Sequence, residues 1–395
     1  MNAGDLPLLL ALALQGPGAP VNTGDTGDTG AGAAVDPQVG EARAREARDG
    51  ALEWLVETQN ADGSWGLRTL AGVVEGFWKS ETLYAWQVAA VAIGSMALDT
   101  GPAAGDMRLA RRRSLGWLTE TPLPLRPDDW DTDHHWAALY GFVAMVRASA
   151  DGGLMEGELG RAITRRGQEF YAMLERGQSV NGGWAYYDGG ATEDVPITVV
   201  PTWDTSFCTA LVLPALLAAP EEWGVAGRRV ARAISYLRRC ALPGGAYSYD
   251  LTAVPALQGF LDINCTQGSL ARTQVANWAL VLAGDRTVTP DVLRGGLDDF
   301  FKHHVYLDIA HQRPIPHEAW FDNSGYFYYF GHYYAALVIE LLPEQERAAY
   351  HARLRPHLLR YQNERGWACD FNHTDSLRLS STAFLALALT AGLEH

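Results

Sequence analysis

The densest run of titratable side chains is Asp128-Asp129-Trp130-Asp131-Thr132-Asp133-His134-His135-Trp136. Asp131 and Asp133 alternate along the chain, and His134 and His135 follow at once. A carboxylic acid kept protonated and made strongly acidic by its neighbours is a proton donor, and imidazoles beside it can tune it. The competing reading is local. Asp131 and Thr132 would begin a helix, with Asp133 favourable to its dipole. Three more stretches hold unusual polar and aromatic groups. In Trp203-Asp204-Thr205, Asp204 or Thr205 is placed to cap a helix and Trp203 to form an aromatic wall. Asp262-Ile263-Asn264-Cys265 precedes Arg272. Trp320-Phe321-Asp322-Asn323 precedes a run holding Tyr326, Tyr328, Tyr329, His332, Tyr333 and Tyr334, which suggests an aromatic-rimmed pocket. His332 also reads as a hydrogen-bonded interior histidine among tyrosines.

The elements that must position these groups form a repeat. Gly50 to Trp65 reads as a helix ending at Gln59, a polar turn Asn60-Ala61-Asp62-Gly63, and Trp65 folding back on the helix. The same punctuation recurs at Gln178 to Trp184, with looser copies at Pro243 to Tyr247 and Gln362 to Trp367. Six helix pairs follow from the apolar pattern. They are residues 41–59 with 81–98, 105–119 with 132–148, 154–176 with 204–218, 221–239 with 269–282, 290–303 with 326–342, and 343–361 with 376–391. First members are charged and amphipathic, whereas second members are apolar nearly all round and must be buried on every side. Six buried helices inside six amphipathic ones predict an all-α fold of two concentric rings. Closure removes the sticky ends of an open solenoid.

The chain is 395 residues long and carries 46 acidic against 31 basic residues, a net charge of −15. No basic stripe stands out, which excludes nucleic acid as the expected partner. Residues 1–20 contain the apolar run Leu6 to Leu14, too short to span a bilayer. It resembles the core of a secretory signal but has Asp5 where a basic residue belongs. An exported or periplasmic location is therefore weighed equally with a cytoplasmic one. Residues 21–40, rich in Gly, Thr and Asp, read as a flexible linker, and residues 41–395 as one domain. Cys208, Cys240, Cys265 and Cys369 lie far apart with no paired motif and read as apolar thiols.

The pattern Gly50, Trp54, Leu55, Gln59, Gly63, Trp65 resembles the QW repeat of squalene and oxidosqualene cyclases. With the six helix pairs, the chain resembles the terpenoid cyclase and protein prenyltransferase superfamily, and more narrowly the bacterial prenyltransferase/squalene oxidase repeat proteins. The resemblance implies an (α/α)6 toroid with QW-like turns and a central cavity that takes an isoprenoid or other apolar chain. The segment around Asp131 and Asp133 resembles the Asp-x-Asp-Asp-Thr motif with which class II terpene cyclases protonate an alkene, although His134 replaces an Asp. Under that reading Asp131 or Asp133 donates the proton, His134 or His135 tunes it, and no cofactor is needed. Trp130, Trp203, Asp204, Asp322, Tyr328, Tyr329 and Tyr333 then line the cavity. A second reading is an exported, non-catalytic toroid that binds a peptide, glycan or lipid. A third is a zinc-dependent, prenyltransferase-like enzyme. There the resemblance implies Asp262, Cys265 and His332 as zinc ligands, with Asp262 and Cys265 one residue further apart than in the family. Contact with a membrane surface and the oligomeric state stay open.

Overall fold

In a computed structural model of the chain, residues 37–66, 79–101, 105–126, 132–186, 200–251, 262–313, 315–371 and 375–393 are described. The leader read over residues 1–20 lies outside them, as does the linker read over 21–40 up to residue 36. Helix α1 (Pro37–Glu57) starts inside that linker span, with proline at its first position, where a missing N–H costs nothing. The other elements are α2 (Ser80–Leu98), α3 (Gly105–Glu120), α4 (His135–Ser149), α5 (Gly157–Gly177), α6 (Ser206–Ala218), α7 (Gly227–Cys240), α8 (Leu270–Leu282), α9 (Pro290–Lys302), α10 (Val305–Ala310), α11 (Phe327–Ile339), α12 (Glu344–Leu359) and α13 (Asp375–Ala391).

Two differences from the sequence pattern have local causes. The expected helix over 221–239 is split. Glu221–Trp223 makes one 3-10 turn, and Gly224, in the left-handed region at φ 72°, stops it before α7. The chain after α9 turns at His303 and His304 into the short α10, which the apolar periodicity does not show.

The two helix classes fold as their patterns require. On α5, Gly160, Ile163, Gly167, Phe170 and Leu174 are buried at alternating spacings of three and four, which is one face of an amphipathic helix. On α11 every residue from Phe327 to Ile339 is buried. The buried helices pack in the order α2, α4, α6, α8, α11 and α13, and α13 returns to α2, so the inner ring is closed. The architecture is an (α/α)6 toroid.

Three of the six repeats are tied to the next by one device. The side-chain amide of Gln59 donates to the carbonyl of Gly63 in its own turn (3.0 Å) and to that of Ala110 in α3 (2.8 Å). Gln178 does the same to Gly182 (2.8 Å) and Arg229 in α7 (3.0 Å). Gln362 donates to Gly366 (2.8 Å) and to Ala47 in α1 (2.7 Å), which joins the last repeat to the first. The turn glycine is required twice over. Gly182 has φ 102°, and a Cβ there would meet the Arg232 carbonyl oxygen at 2.7 Å; at Gly366 it would meet that of Gly50 at 2.2 Å. The indoles of Trp65 and Trp184 then donate back to Leu55 (2.8 Å) and Leu174 (2.6 Å) in the helix just left. Replacing Gln178 by Ala strands the buried Gly182 carbonyl. The expected loss is about 1–3 kcal/mol, read from the denaturant midpoint; no measurable change would show that other contacts hold the repeats together.

Candidate functional site

A cavity of about 350 Å³ lies inside the inner ring. Its wall is built from α2 (Trp86, Ala89, Ala90, Ile93), α4 (Trp136, Tyr140), α6 (Phe207), α11 (Phe327, Phe330) and α13 (Leu377, Ser380, Ser381, Phe384). The loops leading into these helices add Thr132, Asp133, Tyr186, Pro316, His317, Tyr326, Asp370 and Phe371. Aromatic rings dominate. Trp136 lies between Tyr186, 5.6 Å away and parallel to within 2°, and Tyr140, 5.6 Å away at 17°. Phe207 meets Phe327 edge-on at 5.2 Å.

Two carboxyl groups face this apolar space. Asp133 is 8% exposed and adopts φ 67°, a left-handed conformation that a non-glycine residue keeps only when its surroundings impose it. Its Oδ2 accepts from Trp86 Nε1 at 2.9 Å. Burial raises its pKa from 3.8 to about 7; the bonds from Trp86 and Thr132 only partly oppose this. Asp370 lies in the loop before α13. Ser381 donates to its Oδ1 at 2.7 Å and the Tyr329 N–H to its Oδ2 at 2.9 Å. Burial raises it to about 6. On the same wall His317, at φ 62°, donates from Nδ1 to the Asp322 backbone carbonyl at 2.7 Å, and its Nε2 accepts from the Tyr326 hydroxyl at 3.1 Å.

The other expected site residues are placed as follows. Trp130 and Asp131 lie outside the described residues. The helix expected to begin at Asp131 and Thr132, with Asp133 in its first turn, begins later: α4 starts at His135, its N-cap is His134, and no side chain caps it. His134 and His135 are buried beside each other, 4.3 Å between ring centroids. His135 turns to the Ala185 carbonyl (3.2 Å). Neither imidazole is in the cavity wall. Burial, then His135 and Arg126, lower His134 well below the usual histidine range. Trp203 stands edge-on to Tyr186 at 5.0 Å, one ring behind the wall, and donates to Asp250 (3.2 Å). Asp204 accepts from Ser179 in the Gln178 turn, and Thr205, the α6 N-cap, makes no capping bond. Asp322 holds His317 from behind. Tyr328 and Tyr329 face outward and donate to the His357 (2.9 Å) and Leu358 (3.4 Å) carbonyls of α12. Tyr333 lines a separate small space with Tyr140 and Phe384.

Asp262, Cys265 and His332 do not converge. Asp262 accepts from the Asn264 N–H (2.8 Å), whereas His332 sits on the outer face of α11. Among the described residues, the group of His, Cys, Asp or Glu whose donor atoms gather is His304, His332 and His357. The four cysteines are free thiols, and among the described residues no helix is long and apolar enough to cross a membrane.

Asp370, Tyr186 and Phe371 were not singled out from the sequence. A signal existed, because each follows a turn aromatic by two to four residues, Tyr186 after Trp184 and Asp370 and Phe371 after Trp367. The turn that anchors a repeat also aims the next residues at the cavity.

No protein-family model and no curated protein matches the chain. Solved structures do match. A variant of the type II terpene cyclase MstE from Scytonema, in complex with merosterolic acid A, is 15% identical with a TM-score of 0.51, over 90% of this chain and 98% of that one. The cellobiose 2-epimerase of Spirochaeta thermophila is 14% identical with a TM-score of 0.54, over 89% and 96%. An α-1,6-mannanase of Salegentibacter is 10% identical with a TM-score of 0.52, over 88% and 98%. At these identities the likeness defines the class by fold, the (α/α)6 toroids, which host different chemistries.

The raised acid has a thermodynamic signature. The Asp133 pKa is about 7 folded and 3.8 unfolded, so the folded state binds its proton more tightly. The cost of that burial appears as pH rises above about 4 and is complete above about 7. Asp133→Asn is therefore expected to raise stability at pH 8, by up to roughly 4 kcal/mol at 1.36 kcal/mol per pKa unit. The gain should vanish towards pH 4. Denaturant midpoints at both pH values measure it, and equal differences at the two would exclude a raised acid.

Proposed function

We propose that the cavity takes an isoprenoid-like hydrocarbon chain and that Asp133 protonates an alkene of it, as in class II cyclisation. The carboxylic O–H adds its proton to one alkene carbon, and the other becomes a carbocation. Internal alkenes then attack in turn, forming C–C bonds, until a proton is lost from the final cation. What carries the reading is a buried carboxyl group, its pKa raised to about 7, on the wall of an aromatic-lined cavity. Each part has a chemical reason. An apolar wall binds a hydrocarbon by excluding water. Trp86, Trp136, Phe207 and Phe327 give the wall aromatic rings, whose quadrupoles stabilise a nearby cation. His317, joined to Tyr326, and Asp370 are the wall groups able to accept the terminal proton.

The fold alone also admits sugar chemistry, since toroids acting on mannan or cellobiose share it. A sugar's hydroxyl groups need many polar partners, whereas most of the surface of this wall is aromatic and aliphatic carbon. A non-catalytic binding role would leave the strained, buried Asp133 without a purpose.

The test is incubation of the full-length protein with farnesyl, geranylgeranyl and squalene-type polyenes, followed by mass spectrometric analysis of cyclised products. Asp133→Asn is expected to lower turnover by about 10²- to 10⁴-fold, the usual scale for a general acid. Substrate binding, followed by quenching of wall tryptophans, should persist. Because the active form is the acid, the wild-type rate should fall as pH rises through about 7. Unchanged turnover in the variant would refute the assignment.

A further inference from the structure

The outer face of α11 carries a second cluster, unconnected with the cavity. Phe327 and Phe330 point into the cavity, and His332, at 100° per residue, lies opposite them. There it meets His304, which ends the turn after α9, and His357 from the last turn of α12.

The hydrogen bonds decide the tautomers. His332 Nδ1 lies 2.6 Å from the Tyr328 carbonyl oxygen, which can only accept, so this nitrogen carries the ring proton. His304 Nδ1 lies 3.2 Å from Asp308 Oδ2, and a carboxylate likewise only accepts. A neutral imidazole has one N–H, and both rings have spent it on Nδ1. Their two Nε2 lone pairs nevertheless face each other at 2.9 Å, in a site where His304 is 3% exposed and His332 fully buried. A positive centre must join them, either an added proton or a metal ion.

A third imidazole distinguishes these two. The His357 ring stacks on His304 with centroids 3.6 Å apart, and the donor atoms of all three residues lie within 4.8 Å of one another. A shared proton bonds two nitrogens only, whereas a metal ion of the zinc class takes a third imidazole as ligand. The outer partners of the first two rings, a carboxylate and a backbone carbonyl, are also those that orient metal-bound histidines.

We propose that His304, His332 and His357 bind one divalent transition-metal ion of the zinc class, which staples α12 and the α9–α10 turn to the inner helix α11. Three imidazoles suit zinc, cobalt, nickel or copper, and do not suit calcium or magnesium, which require oxygen ligands. A water molecule can complete a four-coordinate site. Asp308 positions His304; Arg360 (2.9 Å) and the Tyr361 hydroxyl (3.3 Å) in turn hold its carboxylate. Because the site lies behind the cavity wall, its role is structural and independent of what the cavity binds.

The test uses full-length protein stripped with a chelator and titrated calorimetrically with zinc chloride alone, with thermal unfolding recorded at each step. One zinc per chain and a rise in Tm are expected, since a ligand bound only to the folded state stabilises it. Asp308→Asn is expected to weaken binding by about ten- to a hundredfold. His357→Ala, at a half-buried position, should leave the metal-free Tm near the wild-type value and abolish tight binding. Absence of stoichiometric binding, or equal binding by wild type and His357→Ala, overturns the proposal.

Discussion

A glutamine amide shared between two backbone carbonyls is the constraint on which the ring depends. Gln59, Gln178 and Gln362 each close their own turn and reach the outer helix of the next repeat. The net gain per bond is only about 1 kcal/mol, but a buried carbonyl left without a donor costs more. The turn must also approach the neighbouring helix so closely that no Cβ fits, which selects glycine at 63, 182 and 366. Since Gln362 makes this contact to Ala47, the last repeat treats the first as its successor. Thr390 to Thr100 (3.2 Å) and Arg355 to Glu41 (3.3 Å) reinforce the same seam.

A closed ring permits what an open helical stack could not. Burying the carboxyl groups of Asp133 and Asp370, and holding Asp133 and His317 in left-handed backbone, all oppose folding. These costs concentrate where the chain enters inner helices, next to the anchoring turns. The Asp204 carboxylate shows the coupling: it accepts from Ser179 of the Gln178 turn while beginning the approach to α6.

The fold was legible because its signals are local and repeated. The glutamine–glycine–tryptophan spacing and the alternation of amphipathic and apolar helices each point to paired helices in a ring. Trp65 and Trp184 are the staples their positions suggest. Asp133 was legible through its alternation with Asp131, although a helix-capping role competed and the backbone there avoids it. The facing of inner helices was not legible. An element buried on every side has no polar face to orient it, so Tyr328 and Tyr329 could not be told from Phe327 and Phe330. The histidine cluster was hidden for another reason. His304, His332 and His357 come from three elements, and His304 marks a break between α9 and α10 that periodicity does not register.

Helix α11 shows how chemistry and scaffold are kept apart. All thirteen of its residues are buried, so every polar side chain on it needs a partner within the protein. Tyr328, Tyr329 and His332 find theirs on the outer side, in α12, the helix's own backbone and His304. Its cavity side is left to Phe327 and Phe330. Ser380 and Ser381 aside, the polar groups of the wall come from loops, namely Thr132, Asp133, Tyr186, His317, Tyr326 and Asp370, with the inner helices giving mostly hydrocarbon and aromatic surface. The turns that carry the anchoring glutamines run on into these loops, as Tyr186 after Trp184 and Asp370 after Trp367 show, so the polar part of the wall is positioned by the contacts that close the ring.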